Sequence, residues 1–165
     1  MKTEREKVFA AAITKGPFHY KTLMPDGINQ AEIKSYVALS NETLGCLLLS
    51  HTKTKPVSDK ILRENLEFLR IASALLSNPK IDPMVVIKHA RALDIEDTLY
   101  HLSKAATNPS VTIPRNILQN WNTILNALPK TPQPENFPHI SRLTSETYIK
   151  KDNRLVSQKT WVTSS

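Results

Sequence analysis

The sequence predicts an all-α protein, an irregular bundle of six to seven helices followed by an extended, proline-rich and basic C-terminal tail. Three observations carry that prediction. Helix start and stop chemistry recurs through residues 1–128, no segment combines two-residue alternation with a turn pair such as Asn-Gly, and one corner motif is used twice. The corner is Ser77-Asn78-Pro79-Lys80-Ile81-Asp82-Pro83 and, thirty residues later, Thr107-Asn108-Pro109-Ser110-Val111-Thr112-Ile113-Pro114. In each copy an Asn-Pro step ends a helix, because the residue before proline is driven out of the α region, and a second proline stands where the next helix begins.

The elements follow in chain order. Thr3 with Glu6 forms a capping box, and the helix it opens stops at Gly16-Pro17. A loop with Phe18, His19, Tyr20, Pro25 and Gly27 leads to a second box, Asn29 with Glu32, after which Ile33, Tyr36, Val37 and Ser40 recur at helical spacing. Ser40 caps a further piece in which Leu44, Leu47, Leu48 and His51 share a face. Ser58-Asp59 opens the longest helix, running to about Ser77 within the usual uncertainty of boundaries. Its stripe of Leu62, Leu66, Leu69, Ser73 and Leu76 is widened by Ile61, Phe68, Ala72 and Leu75 beyond half the circumference, the pattern of a central helix packed on several sides.

Asp82 as cap and Pro83 as first residue begin the next helix, with Met84, Val85, Val86, Ile87, Ala90 and Leu93 inward. Asp94 reads as the cap of another, along which Ile95, Leu99, Leu102 and Ala106 recur. The last helix has the cleanest division of faces. Ile117, Leu118, Trp121, Ile124, Leu125 and Leu128 lie on one side, and a row of uncharged amides with Thr123 lies on the other. Two similar corners fall short of the roughly three units a solenoid needs, so a bundle is preferred to a repeat array.

Pro129, Pro132, Pro134 and Pro138 mark a change of character. Residues 1–128 are expected to form the helical domain, and residues 129–165 a proline-rich linker and a basic tail, either disordered alone or draped on a partner.

Composition excludes several functions. Gly16, Gly27 and Gly45 are the only glycines, so phosphate-cradling loops, dinucleotide turns and nucleophile elbows have no residues to be built from beyond Gly45. Cys46 stands alone in the apolar run Leu44 to Leu49, which rules out an internal disulfide or a cysteine-based zinc site and reads as a small buried hydrophobe. The five histidines show no metal-ligand spacing. Asp97 and His101, at i and i+4, lack a nucleophile at a recognisable spacing and read as a local helix pair. No cofactor, metal or catalytic residue is expected. Apolar runs are too short to span a bilayer and the N-terminus is a poor secretory signal, so the expected setting is the cytoplasm or nucleus with no membrane partner.

The net charge of +7 is the main functional lead. Residues 129–165 hold six Lys or Arg against three Asp or Glu, nearly half of the excess in under a quarter of the length. Lys150, Lys151, Arg154 and Lys159, interleaved with Tyr148 and Trp161, suit phosphate neutralisation with base stacking on the rings. Lys53, Lys55, Lys60 and Arg63 form a second cluster at the start of the longest helix, where cations oppose the helix dipole unless an anion or a nearby acid offsets them. The ordinary alternative is pairing of Lys60 and Arg63 with Glu64 and Glu67 at i, i+4. The expectation is a non-enzymatic helical protein that binds RNA or DNA through these eight cations and self-associates as a homo-oligomer. The competing expectation is a protein-interaction module, in which a helical groove and the tail dock a protein partner.

Overall fold

Side chains at predicted caps set where three of the helices begin. In the computed structural model, which describes residues 3–16, 30–52, 58–133 and 137–163, Thr3 Oγ1 accepts from Glu6 N–H at 3.3 Å and opens α1 (Glu4–Lys15). After α2 (Gln30–Val37), Ser40 Oγ accepts from Thr43 N–H at 3.2 Å and opens α3 (Asn41–His51). The long helix is α4 (Asp59–Leu76), whose last turns, Ile71 to Leu76, are buried all round. Asp82 Oδ1 accepts from Met84 N–H at 3.0 Å and opens α5 (Pro83–Ala92).

The junction after α5 differs from the expectation. Asp94 is not the cap of the next helix, α6 (Glu96–Ala106), whose N-cap is Ile95 with no side-chain hydrogen bond. Asp94 has φ 55° and sits just past the end of α5, where Ile95 N–H bonds Ala90 C=O at 2.9 Å and Asp94 N–H bonds Arg91 C=O at 3.3 Å. Those two bonds are a Schellman closure, with an aspartate in the left-handed position usually given to glycine.

Both Asn-Pro corners close by the same hydrogen bonds. Asn78 Oδ1 accepts from Lys80 N–H at 2.9 Å and its C=O from Ile81 N–H at 3.1 Å. Asn108 Oδ1 accepts from Ser110 N–H at 2.9 Å and its C=O from Val111 N–H at 3.0 Å. Each is an Asx turn that buries the hydrophobic residue three positions after the asparagine. The second corner then does something more. Val111–Thr112 is strand β1, ahead of α7 (Arg115–Ala127).

The all-α expectation is thereby overturned. After a 3₁₀ turn at Ile140–Arg142, β2 (Thr144–Lys151) and β3 (Arg154–Trp161) form an antiparallel hairpin, and β1 joins β3 in parallel to give a mixed sheet of order β1-β3-β2. Thus a large part of the tail expected to be extended is sheet. The hairpin turn is Asp152-Asn153 with φ 51° and 62°, both left-handed as a two-residue type I′ turn requires. Aspartate and asparagine tolerate that region better than other non-glycine residues.

One hydrophobic core runs through the molecule, from Val8 and Ile13 of α1 through α3 and α4 to Trp121 of α7, and it also takes in Leu143 and Trp161. Gly45 of α3 packs directly against Leu76 of α4. A Cβ added at Gly45 would lie 2.7 Å from the side chain of buried Leu76. Here glycine is required by space.

Trp161 is held into the core by a shared hydroxyl. Ser77, the first residue of the first corner, is fully buried, and its Oγ accepts from Trp121 Nε1–H at 2.9 Å and from Trp161 Nε1–H at 2.8 Å. The two indoles pack edge to face at 6.2 Å. The sheet is therefore latched to the end of α4.

Candidate nucleic-acid interface

The hairpin is half-buried at its base and exposed on both faces at its tip. Register fixes which side chains share a face. Thr144 pairs with Trp161, Glu146 with Lys159, Tyr148 with Ser157 and Lys150 with Leu155 on the face that meets the helices at the base. Ile149 with Val156 and Lys151 with Arg154 lie on the other. Side-chain bonds stiffen both faces: Ser157 Oγ donates to Glu146 Oε1 at 2.5 Å, and the Thr147 and Thr160 hydroxyls lie 2.9 Å apart.

Three of the sequence-selected cations lie at the tip, Lys150 on one face and Lys151 with Arg154 on the other. Lys151 and Arg154 are directly opposed across the strands, and Lys150 adjoins Lys151. Opposed like charges destabilise a strand pair, and Asp152 in the turn supplies the one nearby carboxylate along the chain. A bound anion would remove that cost. Tyr148, 63% exposed, stands two residues from Lys150 on the same face, so a ring and a cation are offered together.

Lys159 is displaced from this group. It is half-buried opposite Glu146, five residues and roughly 17 Å of strand from Arg154. Lys60 and Arg63 are exposed in the first turns of α4, roughly 25 Å along that helix from the Ser77 latch. Lys60 reaches Glu64 at 4.0 Å, but the expected Arg63–Glu67 pair gives way to Arg70–Glu67 at 3.2 Å. Glu64 also approaches Arg5 at 3.5 Å. Lys53 and Lys55 lie outside the described residues, as do the box at Asn29 and the loop from Phe18 to Gly27.

The groups capable of chemistry are dispersed. His51 lies against Phe68, with its pKa lowered from 6.5 by burial and by the Arg5 charge. His89 Nε2 is 3.2 Å from Thr43 Oγ1. Buried His101 takes Thr131 Oγ1 at 3.3 Å and the Phe137 ring as neighbours, so the expected pairing with Asp97 is not its contact. Burial pushes the Cys46 thiol up to about 12, away from the thiolate that nucleophilic work needs. No group of three or more His, Cys, Asp or Glu able to hold a metal occurs among the described residues. None of the described helices is long and apolar enough to cross a membrane.

Sequence reasoning named the tip cations from composition and missed the hairpin that gathers them. The available signal was Asp152-Asn153, flanked by Thr147, Tyr148 and Ile149 on one side and Leu155 and Val156 on the other. No protein-family model, curated protein or solved structure matches the chain.

Proposed function

We propose that the protein is a non-enzymatic nucleic-acid binder whose hairpin tip meets the phosphates of single-stranded RNA or DNA and stacks a base on Tyr148. The opposition of Lys151 and Arg154 on one face, with Lys150 next to Tyr148 on the other, carries the reading, because the opposed charges destabilise the free hairpin and are relieved by an anion. The helical body is the scaffold that holds the hairpin through Trp161. Lys60 and Arg63 add a second, separate contact region on α4.

The test is binding of a labelled single-stranded oligonucleotide across a salt series. Affinity is expected to fall steeply with salt, and replacing Lys150, Lys151 and Arg154 together by glutamine should lower the log–log slope by roughly 2, at about 0.7 per cation. Binding that is indifferent to ionic strength, or a triple variant with an unchanged slope, overturns the reading.

A second reading, docking of a protein partner, is favoured by exposed apolar side chains on the same hairpin: Leu155 at 77%, with Ile149 and Val156 partly uncovered. Here Leu155→Ser would abolish capture of the partner and leave oligonucleotide affinity within error.

A further inference from the structure

The outer edge of the hairpin is an open sheet edge. In the order β1-β3-β2, β2 is an edge strand of eight residues, and no other strand among the described residues lies beyond it. A two-residue turn makes Lys151–Arg154 the closing hydrogen-bonded pair. Alternation then directs the N–H and C=O groups of Glu146, Tyr148 and Lys150 away from β3, towards the open edge. The same three residues put their side chains on one face.

We infer that two copies associate through antiparallel pairing of β2 with β2, with Tyr148 opposite Tyr148, in a six-stranded sheet. The argument is charge complementarity. Acid, aromatic and base at positions 146, 148 and 150 read backwards as base, aromatic and acid, so an antiparallel copy sets Glu146 opposite Lys150 twice, on either side of a tyrosine pair. On the other face Thr147 falls opposite Ile149, and Ser145 opposite Lys151, so no like charges are opposed. Shifting the pairing by two residues loses both Glu146–Lys150 pairs. Ser157 holds Glu146 on the required face through its 2.5 Å bond.

A two-fold axis normal to the sheet keeps faces in common and sets both helical bodies on one side. Pairing covers part of Tyr148 and Ile149, which are 63% and 43% exposed in the single chain. Lysines usually guard an edge against foreign strands. Here the same lysines exclude basic or neutral strands and accept this one. The association needs no nucleic acid, and it shares Tyr148 and Lys150 with the proposed binding surface.

Sedimentation of the full chain at low salt, without nucleic acid, tests it. The wild type is expected to show a concentration-dependent dimer. By symmetry each single reversal, Glu146→Lys or Lys150→Glu, turns two attractive pairs into two repulsive ones and weakens dimerisation by roughly tenfold or more. The double variant Glu146→Lys with Lys150→Glu should dimerise again, and an equimolar mixture of the two single variants should form heterodimers. Circular dichroism checks that each variant keeps the native helix content. A wild type that stays monomeric overturns the inference, as do single variants that dimerise like it. It is equally overturned if the folded double variant and the mixture both remain monomeric, or if association requires added oligonucleotide.

Discussion

Replacing Ser77 by alanine removes one hydroxyl and orphans two donors. Trp121 and Trp161 are essentially inaccessible to water, so neither Nε1–H can find a substitute partner there. A buried donor left unsatisfied costs about 1–3 kcal/mol, which puts Ser77→Ala at roughly 2–6 kcal/mol for the pair. At about 2–4 °C per kcal/mol for a chain of this size, the melting temperature should fall by roughly 4–24 °C. Urea unfolding followed by circular dichroism measures the loss, with an unchanged m-value showing that the midpoint shift reports stability. A double-mutant cycle isolates the mechanism. Trp161→Phe should cost less in the Ser77→Ala background than in the wild type, because there it deletes an orphaned donor instead of a satisfied one, and a coupling of about 1–2 kcal/mol is expected. A Ser77→Ala loss below about 1 kcal/mol, or a cycle that is additive, would refute the shared-acceptor reasoning.

Two further outcomes follow from the packing and the electrostatics. Gly45→Val drives side-chain atoms into Leu76 and should destabilise by about 1–3 kcal/mol, measured by the same urea titration; a neutral effect would mean that α3 and α4 separate at no cost. His51 has its folded pKa depressed by burial and by Arg5, so the unfolded chain binds its proton first as pH falls. Its contribution is fully present above the ordinary value of 6.5 and is lost on acidification through that value and the lowered one. The stability of the wild type relative to His51→Gln should therefore decline below about pH 7 in thermal melts. A difference that stays constant with pH would refute it.

Legibility in the sequence followed the range of the interaction. Thr3, Ser40 and Asp82 were readable as caps because a cap is made with a backbone group two or three residues away. Asp94 misled because aspartate suits two adjoining positions, the N-cap of one helix and the left-handed close of the previous one, and only the bond from Ile95 back to Ala90 decides between them. The hairpin escaped because strands reveal themselves by alternation when one face is buried, and the outer half of this one buries neither face. What commits it to the fold is a bond across 84 residues of chain, from Trp161 to Ser77, which no local pattern announces. The cations of the hairpin divide the same way. Composition was enough to select Lys150, Lys151 and Arg154, but bringing them together, and removing Lys159 to stand across from Glu146, was the work of strand register.

The latch also makes the protein a spectroscopic reporter of itself. The chain has two tryptophans, and both donate to one oxygen, so all of its indole emission arises from a single buried spot at the foot of the hairpin. A rigid rotation of about 10° at that foot would move the tip by roughly 4 Å, since seven strand steps make a lever of about 24 Å. Whatever the tip engages, a turn of the lever is felt as a change in the angle and spacing of the two rings, and the unlabelled protein carries its own optical gauge of hairpin motion.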